Sequence, residues 1–297
     1  MQFLNRFFGL ILLASCLIGL IIPPVGDATP VIVILSLAFI IFCSYFQMDL
    51  SGKTMTADLG ISSAFYTIRF LVLPIILYYA VRWFSDFYAL IILLTFLLPA
   101  AVSSPAFSHL FGGKPELSLK ILLFSSFLSI VTIPFLLSLF AGSSIEVPAG
   151  KMLLTLVYTI VVPFFLHLPL RGIGPIRNNI IRLNSIFVLI CLSLIFMVVT
   201  AKNKPVIFEN LGLVVLYAVI SILIYVLMYF LGYIIIPFVS KQTRRTFSIS
   251  SGANNIGLGV TLTTLFFQGQ INVYFIVSQL TWILALIPLR RWGRGKK

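Results

Sequence analysis

Apolar windows of about 20 residues, the length a helix needs to cross a hydrocarbon core, follow one another along this chain with only short polar gaps between them. They fall at 7–25, 30–47, 62–81, 86–111, 116–141, 151–170, 180–200, 210–236, 243–266 and 270–289. With 60% hydrophobic and 9% charged residues, the chain lacks the charge that a soluble globule needs to cover its surface. It therefore reads as an all-α integral membrane protein of ten spans. The gaps carry turn chemistry, as in Pro23-Pro24-Val-Gly26, Gly112-Gly-Lys-Pro115 and Arg171-Gly-Ile-Gly-Pro175, where glycine and proline break helices.

A net charge of +13 raises the question of nucleic acid. The basic residues lie in the gaps and at the C-terminus without an aromatic-interleaved basic face, so they read as topology signals. With a cytoplasmic N-terminus, only Arg82, Lys151, Lys202 and Lys204 fall outside and the other sixteen of the 20 Lys and Arg fall inside. The positive-inside rule then places both termini in the cytoplasm of a bacterial-type inner membrane. Five spans per half is an odd number, so two related halves, 1–142 and 143–297, must run in opposite senses. The expectation is an inverted-topology repeat.

Two of the windows are interrupted. Ser248-Ile-Ser-Ser-Gly-Ala-Asn-Asn-Ile-Gly257 puts hydroxyls, amides and glycines inside the ninth window, and Pro99-Ala-Ala-Val-Ser-Ser-Pro-Ala-Phe-Ser108 interrupts the fourth. Proline removes an amide donor and glycine relaxes the helix, so both spans are expected to open near mid-membrane. The backbone groups so exposed cost several kcal/mol each in hydrocarbon unless protein, water, ion or substrate satisfies them. That favours two broken helices meeting around a wet cavity, with helix N-termini suited to an anion and free carbonyls and hydroxyls to a cation. Small polar residues can also serve only to glue helices together. The cluster of Ser250, Ser251, Asn254 and Asn255 opposite a second break points to a binding site instead.

Other chemistry is sparse. Cys16, Cys43 and Cys191 sit in apolar runs without CxxC spacing, which argues against a disulfide framework or a zinc site. The seven acidic residues fall in or near loops, leaving no acid/base pair at membrane depth, and no Ser/His/Asp set, HExxH motif or phosphate loop is present. An enzyme is not expected. His109, after the first break, is suited to a structural hydrogen bond or to proton coupling, and His167 reads as packing.

These motifs resemble those of the bile acid:sodium symporter family, in the superfamily that also holds arsenite and auxin efflux carriers. The matches are Leu98-Pro-Ala-Ala-Val-Ser-Ser104, the stretch from Gly113 through Leu117-Ser118, and Gly252-Ala-Asn-Asn-Ile-Gly-Leu258, with weaker support from Phe70-Leu-Val-Leu-Pro74. The resemblance implies a panel domain from spans 1, 2, 6 and 7 and a core domain from spans 3–5 and 8–10, with discontinuous spans 4 and 9 crossing in the core. It also implies alternating-access transport of organic anions, generally driven by sodium, with no cofactor beyond that coupling ion; the expected partners are the substrate and the bilayer, with no nucleic acid and the oligomeric state open. Substrate-binding residues would be Arg69, Ser103, Ser104, Asn254 and Asn255. Ion ligands would be Ser104, Ser118, Ser250, Ser251 and Ala253, the last two through backbone carbonyls.

The chain departs from the family pattern where sodium would bind. The glutamate shared by both sodium sites is here Ser250, an asparagine of the first crossover is Pro105, a threonine ligand is Leu122, and the third-span glutamine is Arg69. A sodium ion in a low-dielectric core wants hard oxygen donors and preferably a carboxylate. Arg69, about 10 Å into the membrane if the span starts near Ile61, is expected to act as a tethered cation in place of one sodium. It would reach the carbonyls of the ninth-span break or pair with an anionic substrate; otherwise it snorkels to the headgroups. Sodium coupling, proton coupling, a sodium-independent exporter and a non-transporting receptor or scaffold on the same fold all stay open.

Overall fold

The computed structural model describes residues 2–47, 59–140, 147–267, 269–282 and 284–289. Among them the regular elements are helices: α1 (Gln2–Ile21), α2 (Ala28–Tyr45), α3 (59–82), α4 (Asp86–Leu97), α5 (Ser104–Leu110), α6 (Pro115–Phe140), α7 (149–171), α8 (Gly174–Glu209), α9 (Leu211–Ile234), α10 (Lys241–Gly252), α11 (Ile256–Phe266) and α12 (Gln270–Thr281). A 3₁₀ segment, Leu284–Leu289, follows. Among the described residues six stretches are long and apolar enough to cross a membrane: Ala28–Tyr45, Gly60–Arg82, Pro115–Phe140, Ala149–Arg171, Gly174–Glu209 and Leu211–Ile234. Shorter apolar helices include Asp86–Leu97 and Ile256–Phe266, which flank the interruptions foreseen in the fourth and ninth windows.

Two departures from the sequence expectation have local causes. The seventh window, 180–200, lengthens at both ends: α8 runs from Gly174 to Glu209, so Arg177, in the gap before the window, is helical. Pro175 stands at the start of that helix, where its missing N–H costs nothing, and the exposed Arg and Asn side chains of the first turns are at home in water. The other departure is a widened turn in each of α3 and α7. A π segment, Thr67–Val72, joins Leu59–Tyr66 to Leu73–Arg82, and another, Val157–Val161, joins Ala149–Leu156 to Val162–Arg171. Pro74 and Pro163 stand second in the α-helical stretch that follows. A proline cannot donate to the carbonyl four residues back, and a one-turn bulge is a way for a helix to absorb that loss.

The chain divides into two compact units. The first takes in the described residues of Met1–Met48, Leu154–Ala218 and Val260–Leu280. In it α1 and α8 approach backbone to backbone at Gly19, where an added Cβ would stand 2.5 Å from the Met197 carbonyl oxygen. Tyr45 donates its hydroxyl to the Ile160 carbonyl in the second π segment, at 3.0 Å. The second unit takes in the described residues of Asp49–Leu153, Val219–Gly259 and Thr281–Lys297, and it contains both helix interruptions. Phe65 stacks on Phe247 with centroids 4.2 Å apart, fixing α3 against α10. The turn after α5 docks on α10 through Lys114 N–H, which donates to Thr246 Oγ1 at 2.7 Å. Gly113 lets that turn come close, since a Cβ there would meet the same hydroxyl.

Lys202, Lys204 and Arg244 each meet a carbonyl near a helix end. Lys202 Nζ donates to the Thr264 carbonyl near the end of α11, and Lys204 Nζ to the Ile22 carbonyl after α1. Arg244 Nε donates to the Tyr233 carbonyl near the end of α9. Each sits at the negative end of a helix dipole.

Candidate functional site

In the fourth window α4 stops at Leu97 because Leu98 precedes Pro99 and adopts an extended conformation, φ −60° and ψ 135°, as a residue before proline prefers. Helix resumes at Ser104, with Pro105 in the first turn of α5. In the ninth window α10 stops at Gly252 and α11 begins at Ile256. The two gaps then bond to each other. Asn255 N–H donates to the Pro99 carbonyl and Ala101 N–H to the Ala253 carbonyl, both at 2.7 Å, forming an isolated antiparallel bridge between Ala100 and Asn254. Ala100 N–H donates to Ser125 Oγ at 3.1 Å. Backbone groups that hydrocarbon would leave orphaned are thus satisfied by the partner interruption.

Side chains complete the crossing. Asn254 Nδ2 donates to the Thr95 carbonyl at 2.9 Å while its Oδ1 accepts from the Tyr225 hydroxyl at 3.3 Å. Asn255 caps α11, its Oδ1 accepting from Leu258 N–H at 3.1 Å. Only half-buried, Asn255 is the more accessible member of the Asn pair.

Arg69 comes from the first π segment, nine residues beyond Gly60, or about 14 Å along a helix axis. Its side chain is fully buried, at 0% exposure. Nη1 donates to the Phe96 carbonyl at 2.7 Å and Nη2 to the Ser251 carbonyl at 2.9 Å, while Nε donates to Ser251 Oγ at 2.5 Å. Phe96 is in the last turn of α4 and Ser251 in the last turn of α10, so one guanidinium closes the C-termini of both interrupted helices. Each helix C-terminus carries roughly half a negative elementary charge. Two together oppose about one full positive charge without a carboxylate. The rings of Phe70 and Phe96 lie 4.8 and 4.9 Å from the guanidinium carbon, adding cation–π stabilisation. Snorkelling to the headgroups does not describe this side chain, which turns into the protein.

A second polar group lies in the same unit. Ser118 Oγ bonds Ser104 Oγ at 3.2 Å and Ser250 Oγ at 2.9 Å, and all three residues are fully buried. Ser118→Ala leaves two hydroxyls without these partners. Since each buried orphan costs about 1–3 kcal/mol, the variant is expected to lose about 2 kcal/mol of stability in a denaturant titration of the detergent-solubilised protein.

Most residues singled out from the sequence meet here. Arg69, Ser251, Ala253, Asn254 and Asn255 form the crossing, and Ser104, Ser118 and Ser250 form the hydroxyl triad. The Ser251 and Ala253 carbonyls already accept protein hydrogens, from Arg69 and Ala101. Ser103 stands apart, exposed, and His109 is exposed as well. Sequence reasoning missed Ser125, Tyr225, Thr95 and Phe96. For Ser125 a signal existed: it follows Ser118 by seven residues, two helical turns, and so shares its face.

Among the described residues, six helices long and apolar enough to cross a membrane, with two interrupted helices that pair with each other in the second unit, define a multi-pass integral membrane protein. The family model described as Sodium Bile acid symporter family matches residues 34–210. The chain belongs to that family, whose members are transporters and not enzymes. Among curated proteins it is similar to Uncharacterized protein YbaS of Bacillus subtilis (strain 168), with 24% identity over 195 residues. That alignment covers 63% of this chain and 62% of the relative's length.

Proposed function

We propose that this protein is a secondary carrier that moves a small or amphipathic organic anion by alternating access, with Arg69 in the place of a coupling sodium. The observation that carries this is the guanidinium bonded to the carbonyls that end both interrupted helices. A mobile cation at that crossing would be needed to neutralise the two helix ends, and a tethered one performs the same electrostatic task without leaving. The hydroxyls of Ser104, Ser118 and Ser250 bond one another and add no charge that would draw in a second cation.

The full architecture belongs to this proposal: ten spans in two inverted five-helix repeats, 1–142 and 143–297, a panel of spans 1, 2, 6 and 7, a core of the rest, and both termini in the bacterial cytoplasm. The substrate-facing groups are the accessible end of the crossing, led by Asn255, with the α11 N-terminus behind it suited to a carboxylate or sulfate.

Purified protein in proteoliposomes is expected to take up members of a labelled anion panel, such as pyruvate and a steroid sulfate, at the same rate in sodium chloride as in choline chloride. Its unfolding temperature is expected to be equal in the two salts, because no site stabilised by sodium binding remains. A tenfold or greater dependence of uptake on sodium overturns the proposal.

A further inference from the structure

We infer that transport by this protein is electrogenic, the substrate crossing as an uncompensated anion, so that an inside-negative membrane potential makes it an efflux carrier. The inference rests on the proposed function above and extends it to the direction of transport. Arg69 is a buried cation at the crossing, and it is held to both interrupted helices by three hydrogen bonds. It returns to its starting place in every cycle, so it contributes nothing to the net charge moved.

Among the described residues no carboxylate is buried at the crossing to carry a travelling cation, and His109 on α5 is exposed. The described acidic residues, Asp27, Asp86, Glu116 and Glu209, are all exposed, and the hydroxyls of the triad are neutral. The charge moved per cycle is then that of the substrate alone. For a monovalent anion, each 100 mV inside-negative favours the outside by roughly 50-fold at equilibrium, the ratio that corresponds to 2.3 kcal/mol per elementary charge. A symporter that carries two sodium ions with one anion reverses that sign. Exchanging a mobile cation for a covalently attached one therefore changes the direction of transport as well as its ion requirement.

The experiment uses the full chain in sodium-free proteoliposomes with potassium gradients and valinomycin setting potentials of either sign. The probes are a labelled steroid sulfate, whose charge does not titrate, and labelled pyruvate; protein-free vesicles supply the baseline. The expected result is accumulation inside at inside-positive potential and exclusion at inside-negative potential, with ratios changing about 50-fold per 100 mV. Accumulation that ignores the potential, and follows a pH gradient or an opposing anion instead, overturns this inference and leaves the sodium-independent carrier standing. A requirement for sodium overturns the proposed function itself. Failure of both probes to move, in the presence or absence of sodium, removes the transport reading and this inference with it.

Discussion

Arg69→Gln is expected to lower the stability of the protein by about 3 kcal/mol and its transport rate by at least 100-fold. The guanidinium makes three hydrogen bonds, two of them to carbonyls at the ends of α4 and α10. Glutamine is shorter and can reach one of those helix ends but not both, so at least one buried carbonyl loses its donor. It also removes the positive charge that two converging dipoles require. Relief from desolvating a charge offsets part of the loss, which is why the expected figure is below the sum of three charge-assisted bonds. Arg69→Lys keeps the charge and loses the planar fork. It is expected to recover stability only partly, because one ammonium cannot set donors on two helix ends and a serine hydroxyl at once. Thermal unfolding in detergent and uptake in proteoliposomes measure the two effects. Wild-type unfolding and uptake in Arg69→Gln would show that the guanidinium does not hold the crossing together.

Arg69 also shows how far the sequence reached. A guanidinium inside an apolar window, near the position of a family cation ligand, left three expectations open, namely contact with the carbonyls of the ninth-window break, pairing with an anionic substrate and snorkelling, and the Ser251 carbonyl accepts from it. The other half, the Phe96 carbonyl, was not legible. Every residue has a carbonyl, and which one is unpaired depends on where the helix ends and what crosses it. The helix interruptions themselves were legible because Pro99, Pro105, Gly252 and the adjacent amides are local signals. The π segments were not, although Pro74 and Pro163 mark both. A proline tells that one hydrogen bond is missing, while tertiary packing decides whether the helix kinks, ends or widens. Ser103 was included by adjacency to Ser104 and proved exposed. Neighbours in a helix point in directions about 100° apart, so sequence proximity places only one of them in the triad.

The second large effect is expected from Gly252→Ala, a substitution of one methyl group in the last turn of α10. An added Cβ would overlap the ring of Tyr229 on α9, and that ring is only 2% exposed and has nowhere to retreat. The approach is reciprocal: a Cβ at Gly232 would stand 2.6 Å from both the Phe247 carbonyl and the Ser251 Cβ. Ser248 Oγ donates to the Tyr229 carbonyl at 2.6 Å, fixing the register. Two glycines, one on each helix, thus let α9 and α10 touch along their backbones, and Ser251 is placed for Arg69 by that contact. Overpacking here is expected to cost about 3 kcal/mol. It should also push α10 away by enough to stretch the Arg69 to Ser251 bonds beyond hydrogen-bond range, lowering transport with stability. A double-mutant cycle separates this from general damage. Tyr229→Ala removes the obstructing ring, and the Tyr229 hydroxyl has no hydrogen-bond partner among the described residues, so its loss removes packing alone. If the clash is the cause, Gly252→Ala combined with Tyr229→Ala should be more stable than the sum of the single changes by more than about 1 kcal/mol. Additive losses would instead place the cost of Gly252→Ala in the backbone at the end of α10, where Ala253 leaves the helix with φ −82° and ψ 80°.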